Sequence, residues 1–273
     1  MSRQLSAGRD GKSELTIFAD MKKMIQRFLG RYGYHIIKFD KHNPPWEYPS
    51  DFSEELRAII DRVKPYTMTL PERLFANHEA IKHITAHRIE GSVTECGVWR
   101  GGSTMAMLYT LLNRNDTSRD IYMYDTYEGM SEPGEDDRAY SGDPAATLLE
   151  QSDKNDPRSV WCYASLEDVR RNVLSTGYPA GRIHFVKGKV EDTIPQTIPD
   201  KIALLRLDTD WYESTLHELE HLYPRLQSGG VLLIDDYGHW QGAKKAVDQY
   251  IREKKLRLLL CRTDYSGRIA VKP

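Results

Sequence analysis

Two mainly apolar runs, each ending abruptly in aspartates, constrain the fold of this chain more than any other feature. The runs occupy 204–207 and 231–234. Such segments suit parallel strands that are buried on both faces, and in open α/β sheets the carboxyl ends of the strands face the ligand crevice. Four carboxylates are therefore predicted to meet at the rim of one cleft: Asp208, Asp210, Asp235 and Asp236.

Four carboxylates in one cleft repel one another unless a positive charge joins them. A hard divalent cation, which prefers oxygen ligands, is the simplest candidate. The same acids would also serve as helix N-caps or solvated loop ends, which strand-to-helix turns commonly carry. The pattern leaves both interpretations open, above all for Asp210.

A second signal lies in segment 92–112, which predicts a strand, a glycine-rich turn and a helix that either Ser103 or Thr104 would cap. A turn of this kind presents free backbone N–H groups to a ligand. Its spacing matches neither the dinucleotide fingerprint nor a P-loop. The glycines that permit the tight turn are Gly97, Gly101 and Gly102.

The next predicted strand, 120–125, ends in Asp125. A carboxylate at this distance beyond the glycine turn is placed to accept hydrogen bonds from the ribose hydroxyls of a nucleoside. Because no pyrophosphate-binding pattern accompanies it, the combination favours S-adenosylmethionine over NAD as the ligand.

These segments resemble the TylF/MycF family of metal-dependent O-methyltransferases, the macrocin-type sugar methylases. The resemblance covers most of the chain, and the paired aspartates are its most specific part. It implies an α/β fold of the class I methyltransferase type, with a Rossmann-like doubly wound sheet that is mostly parallel and has an antiparallel last strand. The segments that carry it are 66–76, 95–104, 124–130, 204–215 and 229–250.

The resemblance also implies roles for individual residues. It makes Asp208, Asp235 and Asp236 ligands of Mg²⁺, and either Asp208 or Asp210 the general base. The family usually places an aromatic pair after the third strand, where this chain has Lys189 and Val190. The residues expected around S-adenosylmethionine are Thr67, Met68, Glu95, Gly97, Arg100, Gly101, Ser103, Asp125, Val190 and Glu191.

The expected activity is Mg²⁺-dependent transfer of a methyl group to a sugar hydroxyl, on a glycosylated natural product or a surface glycan. Two alternatives stay open: methylation of a catechol or phenol, whose adjacent oxygens a metal chelates in the same way, and a non-catalytic nucleoside-binding scaffold. Tyr237, His239 and Trp240 follow the second acid pair and would border the acceptor. Packing at the start of the next helix is an equally good interpretation of these side chains.

Composition restricts the partners of the chain. A net charge of −2 gives no electrostatic case for nucleic acid or for an anionic membrane. The apolar runs are too short to span a membrane, and the N-terminus lacks the apolar core of a secretion signal. Three widely spaced cysteines without a CxxC pair suit a reducing cytoplasm. A cytoplasmic enzyme of small glycosidic molecules is predicted.

The chain divides near residue 90 in this interpretation. Residues 1–90 are expected to form a helical accessory segment, with an extended arm at 41–51 and helices at 16–29, 52–64 and 72–87. An apolar stripe on the first helix favours a homodimer or homotetramer. The resemblance implies the same, with this segment closing over an active site.

Residues 91–273 are expected to form the methyltransferase core. The acidic insertion at 131–156 suits an active-site lid or, equally, a disordered surface loop. The last two strands flank a turn at 264–267 and should be antiparallel. The predicted strands are 92–96, 120–125, 182–186, 202–207, 230–234, 256–261 and 268–272.

Overall fold

Seven strands form one sheet in the computed structural model, which describes residues 24–25, 48–156 and 159–273. The order across the sheet is β3-β2-β1-β4-β5-β7-β6, so the chain winds outward from β1 in both directions. The reversal between β1 and β4 is the topological switch point, where doubly wound sheets bind ligands. The strands are β1 (Ser92–Cys96), β2 (Ile121–Asp125), β3 (Ile183–Lys187), β4 (Ile202–Leu207), β5 (Leu226–Ile234), β6 (Cys261–Arg262) and β7 (Arg268–Val271).

The first five strands are parallel, and the last two form an antiparallel pair with β7 against β5. This arrangement confirms the predicted fold class. In the central register, Cys96 lies opposite both Tyr124 and Leu207, so the carboxyl ends of β1, β2 and β4 meet at one edge. The residues that follow these strands are thereby brought together.

The predicted strand at 256–261 is wrong in extent, because only Cys261 and Arg262 pair with β7. Leu256, Leu258 and Leu260 instead pack against the core without strand hydrogen bonding, whereas the side chain of Leu259 is exposed. The alternation of apolar residues therefore reflects burial of one side of an irregular segment.

Helices connect the strands, and the predicted helices at 52–64 and 72–87 are both present. Helix α1 begins after Ser53, whose hydroxyl accepts a hydrogen bond from the Leu56 amide at 3.2 Å, and α2 begins at Pro71. None of the helices among the described residues is long and apolar enough to cross a membrane. The helices are α1 (Glu54–Val63), α2 (Pro71–Ala86), α3 (Gly102–Asn113), α4 (Ala145–Glu150), α5 (Leu166–Leu174), α6 (Val190–Thr193), α7 (Tyr212–Leu222) and α8 (Gln241–Glu253), with 3-10 turns at Lys64–Tyr66, Ala180–Arg182 and Tyr223–Arg225.

The described residues from 50 onward belong to one compact unit. Within this unit, α1 and α2, which precede the predicted boundary near residue 90, pack against α3 of the core. The predicted helix at 16–29 lies outside the described residues except for 24–25, which are helical, and most of the arm at 41–51 lies outside them too.

The insertion at 131–156 is folded onto the core, with α4 inside it. Its anchor is the buried carboxylate of Asp137, which accepts hydrogen bonds from the amides of Gly134 and Tyr212, both at 2.7 Å. Tyr212 is the first residue of α7, so this carboxylate caps a helix whose own N-cap, Trp211, offers no side-chain acceptor. The interpretation of the insertion as a disordered loop is thus wrong.

Candidate active site

A cavity of about 330 Å³ opens at the switch point between β1 and β4. Its walls come from the segments that follow the parallel strands and from residues 66–69, which precede α2. All four predicted acids line it. The strand pattern therefore placed these side chains at the correct edge of the sheet.

Gly97 makes the close approach between β1 and β4 possible. Its φ of +80° lies in the left-handed region, and a Cβ here would sit 1.9 Å from the carbonyl oxygen of Asp208. Beyond it, Gly101 is the N-cap of α3 with φ +88°, so the predicted cap by Ser103 or Thr104 is wrong. Gly101 occupies the cap because the turn requires a left-handed residue there.

The carboxylate of Asp125 fixes the same loop. One oxygen accepts hydrogen bonds from the amides of Val98 (2.7 Å) and Trp99 (3.0 Å), and the other accepts one from Tyr127 (2.7 Å). Burial raises the pKa of Asp125, and these three N–H groups oppose that rise. Asp125 therefore joins the ends of β1 and β2 and lies on the cavity, where it was predicted to meet a ribose.

Seven of the ten residues predicted around the cofactor line the cavity, and three do not. The carboxylate of Glu95 points into the sheet, where it is buried beside Arg206. The Arg100 guanidinium donates to the Pro65 carbonyl at 2.9 Å, and Gly101 faces Val173. The seven are Thr67, Met68, Gly97, Ser103, Asp125, Val190 and Glu191.

Three of the four acids form a compact group. One carboxylate oxygen from each of Asp208, Asp210 and Asp236 lies within 4.8 Å of the others, which is close enough for a shared cation. The Oδ2 atom of Asp236 is buried and has no hydrogen-bond partner among the described residues. An unpaired buried carboxylate oxygen is costly, so the group suits a bound positive charge.

Asp235, predicted as a third metal ligand, stands apart from this group. Its Oδ1 accepts a hydrogen bond from Arg206 Nη2 at 2.5 Å, and its Oδ2 accepts one from Arg73 Nη1. Arg73 also lies 2.9 Å, through Nε, from the carboxylate of Asp264. Each oxygen of Asp235 therefore accepts a hydrogen bond from a guanidinium group, and Asp235 lies outside the compact group.

Arg206 is fully buried in β4 and connects three strands. Its Nη1 donates to Glu95 at 2.6 Å and to Asp208 at 2.5 Å, while its Nη2 reaches Asp235. Thr104 also donates to Glu95. This guanidinium supplies the counter-charge that allows several carboxylates to be buried together.

The acids of the compact group hold their protons more tightly than free aspartates. Burial raises the pKa of Asp210 to about 7, and the charges of Asp208 and Asp235 act in the same direction. Burial also raises the pKa values of Asp208 and Asp236 well above their usual range. A cation that enters the group would favour the ionised forms.

Backbone strain is concentrated near this site. Trp99 (φ +46°), Tyr127 (+52°) and Cys162 (+45°) have left-handed conformations that are uncommon for such side chains, and Asp210 (+69°) is left-handed too, although Asp adopts this region more readily. Three of them line the cavity, and Tyr127 donates to Asp125. Such strain persists where the surroundings over-determine the backbone, and it commonly marks functional sites.

Of the three residues predicted at the acceptor side, His239 and Trp240 line the cavity. Tyr237 does not, because its hydroxyl donates to Asp248 at 2.7 Å and its ring lies under the Arg268 guanidinium. The expectation for Tyr237 is therefore wrong in geometry, since this side chain packs toward α8.

Several lining residues were not predicted. The sequence signal for Arg73 was its position, as the first cation after the segment that precedes α2. Its acidic partners are distant in the chain, so this position did not identify its role. Thr69 and Cys162 carried no signal of their own. Tyr265 lies in the turn between β6 and β7 and carried no signal of its own either.

The strand order, the glycine loop at the switch point and the acid after β2 are shared by class I methyltransferases. Fold and site together therefore place the chain among proteins with the class I methyltransferase fold. A profile of the macrocin O-methyltransferase (TylF) family matches residues 28–270, and the chain belongs to this family.

Characterised relatives support this assignment. Demethyldecarbamoylnovobiocin O-methyltransferase of Streptomyces niveus is 33% identical over 185 residues, which cover 68% of this chain and 67% of that enzyme. A Streptomyces olivaceus enzyme, 8-demethyl-8-(2,3-dimethoxy-alpha-L-rhamnosyl)-tetracenomycin-C 4'-O-methyltransferase, is 36% identical over 172 residues, 63% of this chain and 62% of that enzyme. The alignments thus span about two thirds of each relative.

A solved structure agrees with the fold. The O-methyltransferase NovP superposes with a TM-score of 0.67 at 30% sequence identity, over 76% of this chain and 82% of that one. The similarity extends over most of both chains and therefore includes the doubly wound sheet.

Proposed function

We propose that this enzyme transfers a methyl group from S-adenosylmethionine to a sugar hydroxyl of a glycosylated acceptor in a Mg²⁺-dependent reaction. The observation that carries this proposal is the compact group of Asp208, Asp210 and Asp236, which shares one cavity with the Asp125 loop. A methyl donor held at the loop and an oxygen nucleophile held at the acids would face each other across that cavity.

The donor set fits Mg²⁺, which prefers carboxylate oxygens. Asp208 and Asp236 would hold the ion, since they belong both to the predicted ligands and to the observed group. Asp235 would become a ligand only if its hydrogen bond from Arg73 were broken. When bound, Mg²⁺ supplies Lewis acidity that lowers the pKa of a hydroxyl beside it.

Asp210 is the better candidate for the general base. One oxygen of Asp208 already accepts a hydrogen bond from Arg206, whereas Asp210 has no arginine partner among the described side chains. Burial raises the pKa of Asp210 to about 7 without the ion, and a bound cation would lower it and keep the carboxylate ionised, as a base that accepts a proton must be. In this proposal a carboxylate oxygen of Asp210 takes the hydroxyl proton while the methyl group is transferred.

The sugar acceptor is inferred from the relatives. The Streptomyces olivaceus enzyme is named for methylation at the 4' position of a compound that carries a rhamnosyl group. A cavity lined by aspartates is suited to adjacent hydroxyls, which bind a metal and donate to carboxylates.

Removal of the metal tests this proposal directly. Excess EDTA should abolish methyl transfer to the acceptor, and added Mg²⁺ should restore it, because the acids alone do not activate a sugar hydroxyl. The measurement is incorporation of labelled methyl groups, with binding of S-adenosylhomocysteine as a control that EDTA should leave intact. Full turnover in excess chelator would refute the metal dependence.

The cofactor site is tested at Asp125. Asp125→Ala should weaken S-adenosylmethionine binding by about 1.5–3 kcal/mol, the range for losing hydrogen bonds to a charged group. Calorimetric titration measures this change. Asp200→Ala, which removes a fully exposed carboxylate, is the matched control and should bind normally. Equal affinity in the two variants would place the cofactor elsewhere.

The N-terminal segment is proposed to mediate assembly into a homodimer or homotetramer, on the basis of the apolar stripe at 16–29 in the sequence. Light scattering of the full-length protein should give a dimer or larger species, and a chain without residues 1–50 should be smaller. A full-length monomer with normal activity would contradict this expectation.

A further inference from the structure

Three rings from separate segments lie beside the mouth of the cavity, and we name them the aromatic collar: Tyr140, His239 and Tyr265. The ring centroid of His239 is 5.6 Å from that of Tyr140 and 6.0 Å from that of Tyr265. The Tyr265 hydroxyl lies 3.4 Å from His239 Nδ1. His239 and Tyr265 line the cavity itself, and Tyr140 extends the collar outward.

The collar is exposed although its backbone is fixed. The side chains of Tyr140 and Tyr265 are 71% and 51% exposed. Yet the Tyr140 amide donates to the His239 carbonyl at 2.8 Å, and the Gly238 amide donates to the Ser266 carbonyl at 2.9 Å. Rings held in place by the backbone beside a cavity, with their faces in water, are typical of ligand-binding surfaces.

The collar also adjoins the proposed reaction site. His239 follows Asp236 by three residues, and its amide donates to the Asp236 carbonyl at 3.0 Å. A sugar that reached Asp236 would therefore direct its remaining substituents toward the collar or toward solvent.

The charges around the cavity oppose an anionic acceptor. Six carboxylates and two cationic side chains line it. Of the two cations, Arg73 is hydrogen-bonded to Asp235, and Lys189 follows β3 on the cofactor side. Among the described residues that line the cavity, the six carboxylates carry more charge than these two cations and one Mg²⁺ together, so a diphosphate would meet net repulsion.

We propose that the aromatic collar binds the uncharged, apolar aglycone of a finished glycoside and selects against sugars that still carry a nucleoside diphosphate. This proposal rests on the proposed function, because it assumes that a sugar hydroxyl reaches the acids. Flat apolar groups gain contact area on the ring faces, and the tyrosine hydroxyls stay available for hydrogen bonds.

Three probes with one sugar separate these acceptor classes: phenyl α-L-rhamnoside, methyl α-L-rhamnoside and thymidine-diphosphate-L-rhamnose. Rhamnose is chosen because one relative is named for a rhamnosyl compound. For the wild-type protein, kcat/KM should be about tenfold higher for the phenyl than for the methyl glycoside, as one or two ring contacts would give. The nucleotide sugar should be the poorest acceptor. A wild-type preference for the nucleotide sugar would overturn the proposal.

Removal of the rings tests the collar. In the double variant Tyr140→Ala with Tyr265→Ala, the phenyl-to-methyl ratio of kcat/KM should fall about tenfold, toward one. The double Tyr→Phe variant keeps both rings and should keep the ratio. Tyr163→Ala removes an exposed tyrosine outside the collar and should also keep it. A ratio in the double alanine variant equal to that of the wild type would overturn the proposal.

Ligand-observed NMR separates failure of the collar from failure of the proposed function. Saturation transfer from the full-length protein to the aromatic protons of phenyl rhamnoside is measured with S-adenosylhomocysteine present. If no rhamnoside is methylated, a signal that disappears in the double alanine variant still supports the collar, while the proposed sugar methylation fails for this acceptor. A missing wild-type signal, or one that the variant retains, overturns the collar.

Discussion

Asp236→Asn is expected to lower kcat about a thousandfold, because a metal ligand lost from the acid group removes several kcal/mol of stabilisation from the transition state. Asp236 Oδ2 is the buried oxygen that lacks a hydrogen-bond partner among the described residues. Replacing this oxygen by the asparagine NH₂ group therefore removes no hydrogen bond at that atom. The protein should therefore stay folded. Methyl transfer at saturating cofactor and acceptor measures the effect.

A second measurement separates metal binding from catalysis. The electron paramagnetic resonance signal of free Mn²⁺ reports how much ion the protein binds, and Asp236→Asn should bind far less than the wild type. Asp200→Asn, at an exposed surface position, should match the wild type in both assays. Normal Mn²⁺ binding by the Asp236 variant would assign this acid a role other than metal ligation.

Arg206→Met is expected to destabilise the folded protein by about 3–5 kcal/mol, the cost of leaving buried charges without their partner. The methionine fills a similar space but leaves Glu95 and Asp235 without the guanidinium that bridges β1, β4 and β5. Urea denaturation followed by circular dichroism measures the change in the free energy of unfolding.

Two further variants show that the effect comes from buried charge. Arg171→Met removes a largely exposed ion pair with Asp168 and should change stability by less than about 1 kcal/mol. Adding Glu95→Gln to Arg206→Met should recover part of the loss, because one uncompensated carboxylate disappears. If Arg206→Met unfolds at the same urea concentration as the wild type, Arg206 is not the counter-charge of these strands.

The sequence predicted the positions of the site acids because strand direction alone decides them. The residues that follow a buried parallel strand such as β4 lie at the ligand-binding edge of the sheet. This locates Asp208 and Asp210 without any knowledge of packing. The same argument locates Asp125 after β2 and the pair after β5.

The charge partners could not be predicted in this way. Arg206 pairs with Glu95, 111 residues away, and with Asp235, 29 residues away, and only the order of the strands brings them together. Sequence reasoning therefore grouped Asp235 with the metal ligands and placed Glu95 at the cofactor. In the structure both side chains accept hydrogen bonds from the arginine inside the sheet.

The aromatic collar could not be predicted from the sequence for a related reason. Its rings come from the insertion, the segment before α8 and the turn between β6 and β7, and each is ordinary in its own context. Only His239 adjoins a recognisable motif. The bond between the Tyr140 amide and the His239 carbonyl, which no local pattern encodes, brings the insertion to the cavity.

The Asp137 anchor restricts how the insertion can be exchanged between related enzymes. A Cβ on Gly242 of α8 would lie 1.9 Å from Asp137 Oδ1, so the carboxylate fits only beside a glycine at that position. A chimera that imports a new insertion must therefore keep Asp137 and Gly242 as a matched pair and place its junctions after residue 137. Grafts that respect this pair can change acceptor preference at residues 138–156, and grafts that divide it would uncap α7 just behind Asp210.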